Sequence, residues 1–256
     1  MDKMGDSGKA GNKGWPATPR DGAPIELTGL LKFFLNWIVT VLSVKAKRYW
    51  TWEGVTVKGK LITYKCWNES LLKNFEWMYY VSESDAKAGY RAGIYKDTFG
   101  SSIQNADSQL RPNQCIAMVV APELFDPEHA RKCLEIIKDV LASKVGIRTL
   151  DPKDADYRGY YENDNDGTDF KVAHGFNYHQ GPEWGWVMAY FLRAYHLFNP
   201  NKPISLVEQS AHIISNPFKG ITELTNDGGA FCPGSCPTQA WSSSCLIELL
   251  ADLTER

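Results

Sequence analysis

Breaking a glycosidic bond takes two acidic side chains facing one hollow. One protonates the leaving oxygen, and the other activates a water or attacks from the opposite face. Carboxylates that could serve lie in loops of this 256-residue chain at Asp2, Asp6, Asp21, Asp97, Asp107, Glu183 and Glu223. Near them in the sequence stand Trp15, Tyr160, Tyr161, Tyr178, Trp184 and Trp186, with Arg20, Arg111, Asn113, His179 and Gln180. That mixture suits a sugar: flat rings cover its C–H faces, while amides, carboxylates and guanidinium groups meet its hydroxyls. The bland alternative is that such aromatics plug the ends of a helical bundle. Composition does not choose among the acids, and a loop carboxylate taken alone is usually a cap or a solvated charge.

Other chemistries find less support. The run Glu162-Asn163-Asp164-Asn165-Asp166-Gly167 begins like a calcium loop, but its twelfth position is Ala173 instead of an acid. The glycine-rich stretch 5–14 lacks the GxxxxGK[ST] pattern and follows no strand, so it is not a phosphate loop. Ser242, Ser243 and Ser244 have no GxSxG context for a nucleophile. Cys232 and Cys236 have no histidine companions at zinc-ligand spacing, and no metal or cofactor is expected. His129, His196 and His212 fall on helical patterns and read as structural, whereas His179 sits just before a helix start.

Helices must carry these loops. Apolar residues at i, i+3, i+4 spacing predict helices over 23–45 (Leu27, Leu30, Leu31, Phe34, Ile38, Val41, Leu42), 67–82, and 113–120. Asp126-Pro127 is a cap followed by a first-turn proline, opening a helix with Ala130, Cys133, Leu134, Ile137 and Leu141 on one side. Further helices are predicted over 182–198, 203–215 and 238–254. The alternating stretch 55–64 reads as a β-hairpin. The loops between, 1–24, 83–112, 148–182 and 216–237, exceed ordinary connection lengths and are where function tends to sit. The class is all-α, with buried inner helices wrapped by outer ones.

Bulk properties set limits. The chain is 43% apolar and 23% charged, which excludes disorder and supports one domain with a real core. Net charge is 28 − 30 = −2, so neither nucleic acid nor an anionic membrane is an expected partner. The apolar run 27–44 is interrupted by Lys32 and Asn36 and reads as a buried core helix instead of a membrane span. Six cysteines and no secretory signal are consistent with reduced thiols in a cytoplasmic protein.

Eight short segments, in order, carry a resemblance: MDKMGDS (1–7), PATPRDG (16–22), IYKD (94–97), QLRPNQ (109–114), TLDP (149–152), GFNYHQGPEWGW (175–186), ELTN (223–226) and CPTQAWS (236–242). Together they resemble the C-terminal amylo-α-1,6-glucosidase region of eukaryotic glycogen debranching enzymes, over nearly the whole of 1–256. The resemblance implies an (α/α)6 toroid with long active-site loops, here incomplete at about seven of twelve helices. It implies inverting hydrolysis of the α-1,6-linked glucose left at a trimmed glycogen branch, with glycogen or phosphorylase-limit dextrin as substrate. The acid falls on Asp2 and the base on Glu223. Trp15, Arg20, Asp21, Arg111, His179, Gln180, Glu183, Trp184 and Trp241 fall near the sugar cleft. The family's tryptophan before the acid, its first toroid helices and its 4-α-glucanotransferase barrel are absent, so a truncated chain is expected, with Asp2 beside the α-amino group and apolar faces such as 27–44 partly uncovered. A catalytically silent glucan-binding fragment and a glucoamylase- or trehalase-like toroid enzyme are the alternatives.

Overall fold

The computed structural model describes residues 3–44, 53–87 and 89–254. Asp2 lies outside the described residues. The chain is mostly helical, with short strands that pin its loops. Strand β1 (Ala23–Pro24) leads directly into α1 (Ile25–Val44). The hairpin β2 (Gly54–Val57) and β3 (Lys60–Thr63) turns at Lys58-Gly59, both with positive φ, the backbone a tight primed turn requires. Helix α2 (Tyr64–Tyr79) follows at once because the Thr63 hydroxyl accepts from the Cys66 amide as its cap. It therefore starts three residues before the apolar spacing alone suggests. Strands β4 (Tyr80–Val81), β5 (Ile94–Tyr95) and β6 (Thr98–Phe99) tie the segment after α2 to its surroundings, β6 pairing with β1.

The core forms around α3 (Gln114–Val120), α4 (Pro127–Val140) and, further along, α5 (Gly185–Phe198). Asp126 caps α4 by accepting from the Glu128 and His129 amides, and Ala130, Cys133, Leu134, Ile137 and Leu141 are buried as the spacing predicted. Helix α5 buries Val187, Met188, Ala189, Phe191, Ala194, Tyr195 and Phe198, and packs against α3, α4 and the last helix. Helix α6 (Val207–Ser215) is shorter than read, and α7 (Ala240–Thr254) closes the order. Between α4 and α5 lies β7 (Ile147–Arg148), followed by β8 (Glu183–Trp184), and β9 (Leu224–Thr225) lies between α6 and α7. Those three form one antiparallel sheet.

Helix α1 corrects the expectation of a buried helix with Leu27, Leu30 and Phe34 inside. Its buried stripe is Ile25, Gly29, Lys32, Leu35 and Ile38, while Leu27, Leu30, Phe33, Phe34 and Trp37 are exposed. Two side chains that look wrong for a core make this stripe work. A Cβ at Gly29 would come within 2.8 Å of Ala117, so glycine lets α1 lie close on α3. Lys32 is 3% exposed and its ammonium reaches Glu123 at 2.7 Å. A buried charge is tolerated only with such a partner.

An acid-sensitive tie links α4 to α5. The Glu135 carboxylate accepts from Tyr195 Oη at 2.7 Å and meets the ammonium groups of Lys138 and Lys202. Lys138 first, then Lys202, pulls its pKa from 4.5 down to about 2. A lowered folded value stabilises the fold above the unfolded value and is lost as pH falls through the folded one. Glu135→Gln is therefore expected to flatten the drop in melting temperature between about pH 4.5 and pH 2, as read by thermal scans across that window.

Candidate active site

Glu223 sits at a bend just before β9, half-buried, with its amide donating to the Cys236 carbonyl at 2.9 Å. One carboxylate oxygen accepts from the Tyr178 hydroxyl and the other from the Cys236 amide, at 3.2 Å. These two donors fix the plane of the carboxylate. Burial, and next the Glu223 carboxylate, push the Tyr178 phenol far above its usual value, so it remains a donor across ordinary pH. Tyr178 is itself wedged among Tyr161, His179 and Trp184, at ring separations of 5.0, 4.8 and 4.7 Å. The Trp184 indole N–H donates to the Tyr178 carbonyl at 3.2 Å. Trp184 is thus a buried prop for Tyr178 and His179, with no open face for a sugar.

The turn that carries Tyr178, His179 and Gln180 is held by Arg111. A guanidinium has five N–H donors, and here every donor group is engaged. Nε and Nη2 donate to Gln109 Oε1, Nη2 to Gln180 Oε1 at 2.6 Å, and Nη1 to the carbonyls of Thr149 and His179. Arg111 is 4% exposed and builds the site without reaching into it. Arg20 likewise bridges Glu26 at 2.6 Å and buried Asp97 at 2.7 Å. Burial lifts the Asp97 carboxyl above the ordinary range, against the opposing pull of Arg20 and Arg111. These arginines were expected at the sugar because a cation in a loop reads as a hydroxyl donor. Internal carboxylates and carbonyls take them instead.

Glu183 is the clearest correction. It occupies the central strand of the sheet and is wholly buried. Its carboxylate accepts from Thr225 Oγ1 at 2.8 Å and from the amides of Gly228 and Gly229 at 2.9 and 3.0 Å, with Arg148 Nη2 3.7 Å away. Both glycines have positive φ, which aims the two amides at one acceptor. Glu183 therefore anchors the turn that follows ELTN.

Four expected sugar contacts keep exposed or half-exposed polar or flat surface. Trp15 is 60% exposed with its ring edge against Phe170, and Trp241 is 51% exposed and stacked on Trp186 at 4.2 Å. His179 and Gln180 are half-buried. Asp21 is exposed too, but Ser101 and then Ser102 bond its carboxylate and pull its pKa to about 2. A pocket of about 230 Å³ opens between residues 16–19 and 103–111, lined also by Phe170, Phe176, Lys171, Asp156 and Gln180. Glu223 is not among its walls. Among the described residues, no group of three or more His, Cys, Asp or Glu is arranged to hold a metal, and no helix is long and apolar enough to cross a membrane.

A route of contacts joins the start of the described chain to Glu223. Lys3 Nζ donates to Asn163 Oδ1 at 3.1 Å, and the same oxygen accepts from the Tyr161 hydroxyl at 3.1 Å. Tyr161 packs on Tyr178, which bonds Glu223. Burial, and after it the Glu223 charge, push the Tyr161 phenol up to about 12. Sequence reasoning named both tyrosines only as sugar platforms. The ordering of their hydroxyls, Tyr178 on the Glu223 carboxylate and Tyr161 on the Asn163 amide oxygen, gives no signal in a linear pattern.

The comparisons with known proteins agree with the resemblance. A family profile described as amylo-alpha-1,6-glucosidase matches residues 1–248. The chain is 46% identical, over an alignment of 284 residues, to the glycogen debranching enzyme of Saccharomyces cerevisiae, covering 99% of this chain and 18% of that protein. A match across all but the last few residues shows descent and not a shared motif: the chain belongs to the amylo-α-1,6-glucosidase family.

Proposed function

We propose that this chain hydrolyses the α-1,6-linked glucose at a trimmed glycogen branch point, with inversion. Glu223 acts as the base and Asp2 as the acid. The observation that carries the reading is the route Lys3–Asn163–Tyr161–Tyr178–Glu223, because Lys3 is bonded directly to Asp2 along the chain. The 230 Å³ pocket is the weaker candidate: Asp156 is its lone carboxylate and is paired with Lys171 at 2.6 Å, whereas hydrolysis needs two.

In this mechanism Glu223 takes a proton from a water, whose oxygen attacks the anomeric carbon. The bond from that carbon to O6 of the branch residue breaks, and Asp2 delivers its proton to O6. Inversion sets the two carboxyl groups about 6.5–9.5 Å apart, with the water between Glu223 and the sugar. We place the helices within an (α/α)6 toroid, to which this chain contributes α1 to α7. Trp15, His179, Gln180 and Trp241 supply the sugar contacts. The substrate is glycogen trimmed to a limit dextrin, in keeping with the name of the yeast relative, a glycogen debranching enzyme; the chain spans 18% of that relative's length.

The test is release of free glucose from phosphorylase-limit dextrin by this chain and by a longer polypeptide that adds upstream sequence. Release by the longer form alone assigns the activity to the larger assembly. Binding of glycogen in co-sedimentation, with no glucose from either form, favours a silent glucan-binding role. Trp241 offers a further check, since its outer face is open while Trp186 backs the other. An aromatic contact is worth about 0.5–1.5 kcal/mol, so Trp241→Ala is expected to raise KM for limit dextrin about 2- to 10-fold with kcat little changed.

A further inference from the structure

The pocket of about 230 Å³ has a lining that hydrolysis at Glu223 does not use. Drug-sized ligands occupy about 300–1,000 Å³, so this space admits one small ring and not two. Phe170 and Phe176 line it and meet edge to face at 5.2 Å. Spare hydrogen-bonding groups line it as well. The exposed Gln104 amide bonds no other group among the described residues. Asp156 gives one oxygen to Lys171 at 2.6 Å and keeps the second, while the Lys171 ammonium keeps two N–H donors. The Gln180 amide nitrogen reaches only the Ala17 carbonyl, at a long 3.4 Å. No charge is left over: Asp156 and Lys171 cancel, and the Arg111 guanidinium is engaged internally, 3.9 Å from the Asp97 carboxylate. Flat apolar faces with uncharged donors and acceptors fit a neutral sugar ring and not a phosphate or a carboxylate.

A second flat face stands at the rim. Trp15 precedes Pro16, a wall residue, and its exposed ring meets Phe170 edge-on at 6.5 Å. Gln180 belongs to the turn that carries Tyr178, so the pocket adjoins the hydrolytic site, yet Glu223 is not among its walls. A ring held in it is therefore not the one whose anomeric carbon is attacked. Limit dextrin carries its branch as a single glucose on an α-1,4 chain, which leaves that chain as the source of any second ring. We propose that the pocket is a separate sugar subsite, taking one glucose of the α-1,4 chain that bears the branch, with Trp15 under the next. The choice of chain rests on the hydrolytic reading above, whereas glucan binding by the pocket is measured without hydrolysis.

The first measurement is calorimetric titration of this chain with maltotetraose, which has no α-1,6 bond and reports binding alone. Binding is expected, and Phe170→Ala and Gln104→Ala should each raise Kd about 2- to 10-fold, the size of one ring contact or one hydrogen bond. Gln104 has no partner in the fold to lose, so its removal leaves the structure in place. No binding, or binding untouched by both substitutions, would overturn the proposal.

The second measurement compares two substrates in the form of the protein that releases glucose: isomaltose, and maltotetraose carrying one α-1,6-linked glucose. The parent should favour the branched chain in kcat/KM, and each substitution should shrink that preference by raising KM for the longer substrate about 2- to 10-fold. Equal losses on both substrates would put the cleaved glucose itself in the pocket and overturn its assignment to the α-1,4 chain. Undiminished glucose release by Glu223→Gln would sink the two-carboxylate reading separately, while maltotetraose binding that both pocket substitutions weaken would still uphold the pocket as a glucan site.

Discussion

Replacing Glu223 by glutamine is expected to lower the rate of glucose release from limit dextrin by about 10³-fold, with the fold intact. The figure follows from the size of general acid–base contributions, about 10²- to 10⁴-fold. Glutamine keeps the shape: its one amide oxygen can accept from Cys236 N while its NH2 donates to the Tyr178 hydroxyl oxygen, so both native partners are kept. What it loses is the ability to take a proton from water. Chemical rescue sharpens the test. In Glu223→Ala, azide can attack without being deprotonated, and an inverting site would yield β-glucosyl azide. Recovery of the α-azide would point to retention. Undiminished glucose release by the glutamine variant would remove Glu223 from the mechanism.

The largest effect on stability is expected at Glu183. Its removal leaves the Gly228 and Gly229 amides, the Thr225 hydroxyl and the Arg148 guanidinium without their common acceptor inside the fold. Breaking a buried charge cluster from one side costs about 3–5 kcal/mol. At about 2–4 °C per kcal/mol for a domain of this size, Glu183→Ala should melt about 10 °C below the parent in calorimetry. Arg148 has a second partner in Asp227, at 2.9 Å, so part of the turn remains tethered. A melting temperature within about 2 °C of the parent would show that the sheet holds the 226–230 turn without this carboxylate.

Much of this is legible in the sequence. The Asp126-Pro127 start, the buried stripe of α4 and the hairpin follow from local rules, and the eight motif segments point to the family. Local rules failed where a partner distant in sequence decides. Apolar spacing put Leu27, Leu30 and Phe34 inside α1, because nothing in a linear pattern says that Gly29 meets Ala117 or that Lys32 meets Glu123. The same blindness affected the site. Arg20, Arg111 and Glu183 look like substrate ligands in a sequence, since the carbonyls, carboxylates and turn amides that engage them lie far along the chain. Glu223 was placed by its ELTN segment alone. The tyrosine that orients it, 45 residues away, only the folded chain reveals.

Helix α1 has its one lysine of the middle turns tucked inward and its bulkiest rings, Phe33, Phe34 and Trp37, turned to water. Contiguous greasy surface of that kind is what makes a protein hard to keep dispersed at high concentration. Anyone handling this polypeptide by itself should reckon with colloidal behaviour governed by these three rings, with Leu27 and Leu30 beside them, more than by its near-neutral charge of −2, which offers little mutual repulsion to keep molecules apart. Polar replacements at Phe33 and Trp37, both more than half exposed, are the natural first step toward a tractable preparation.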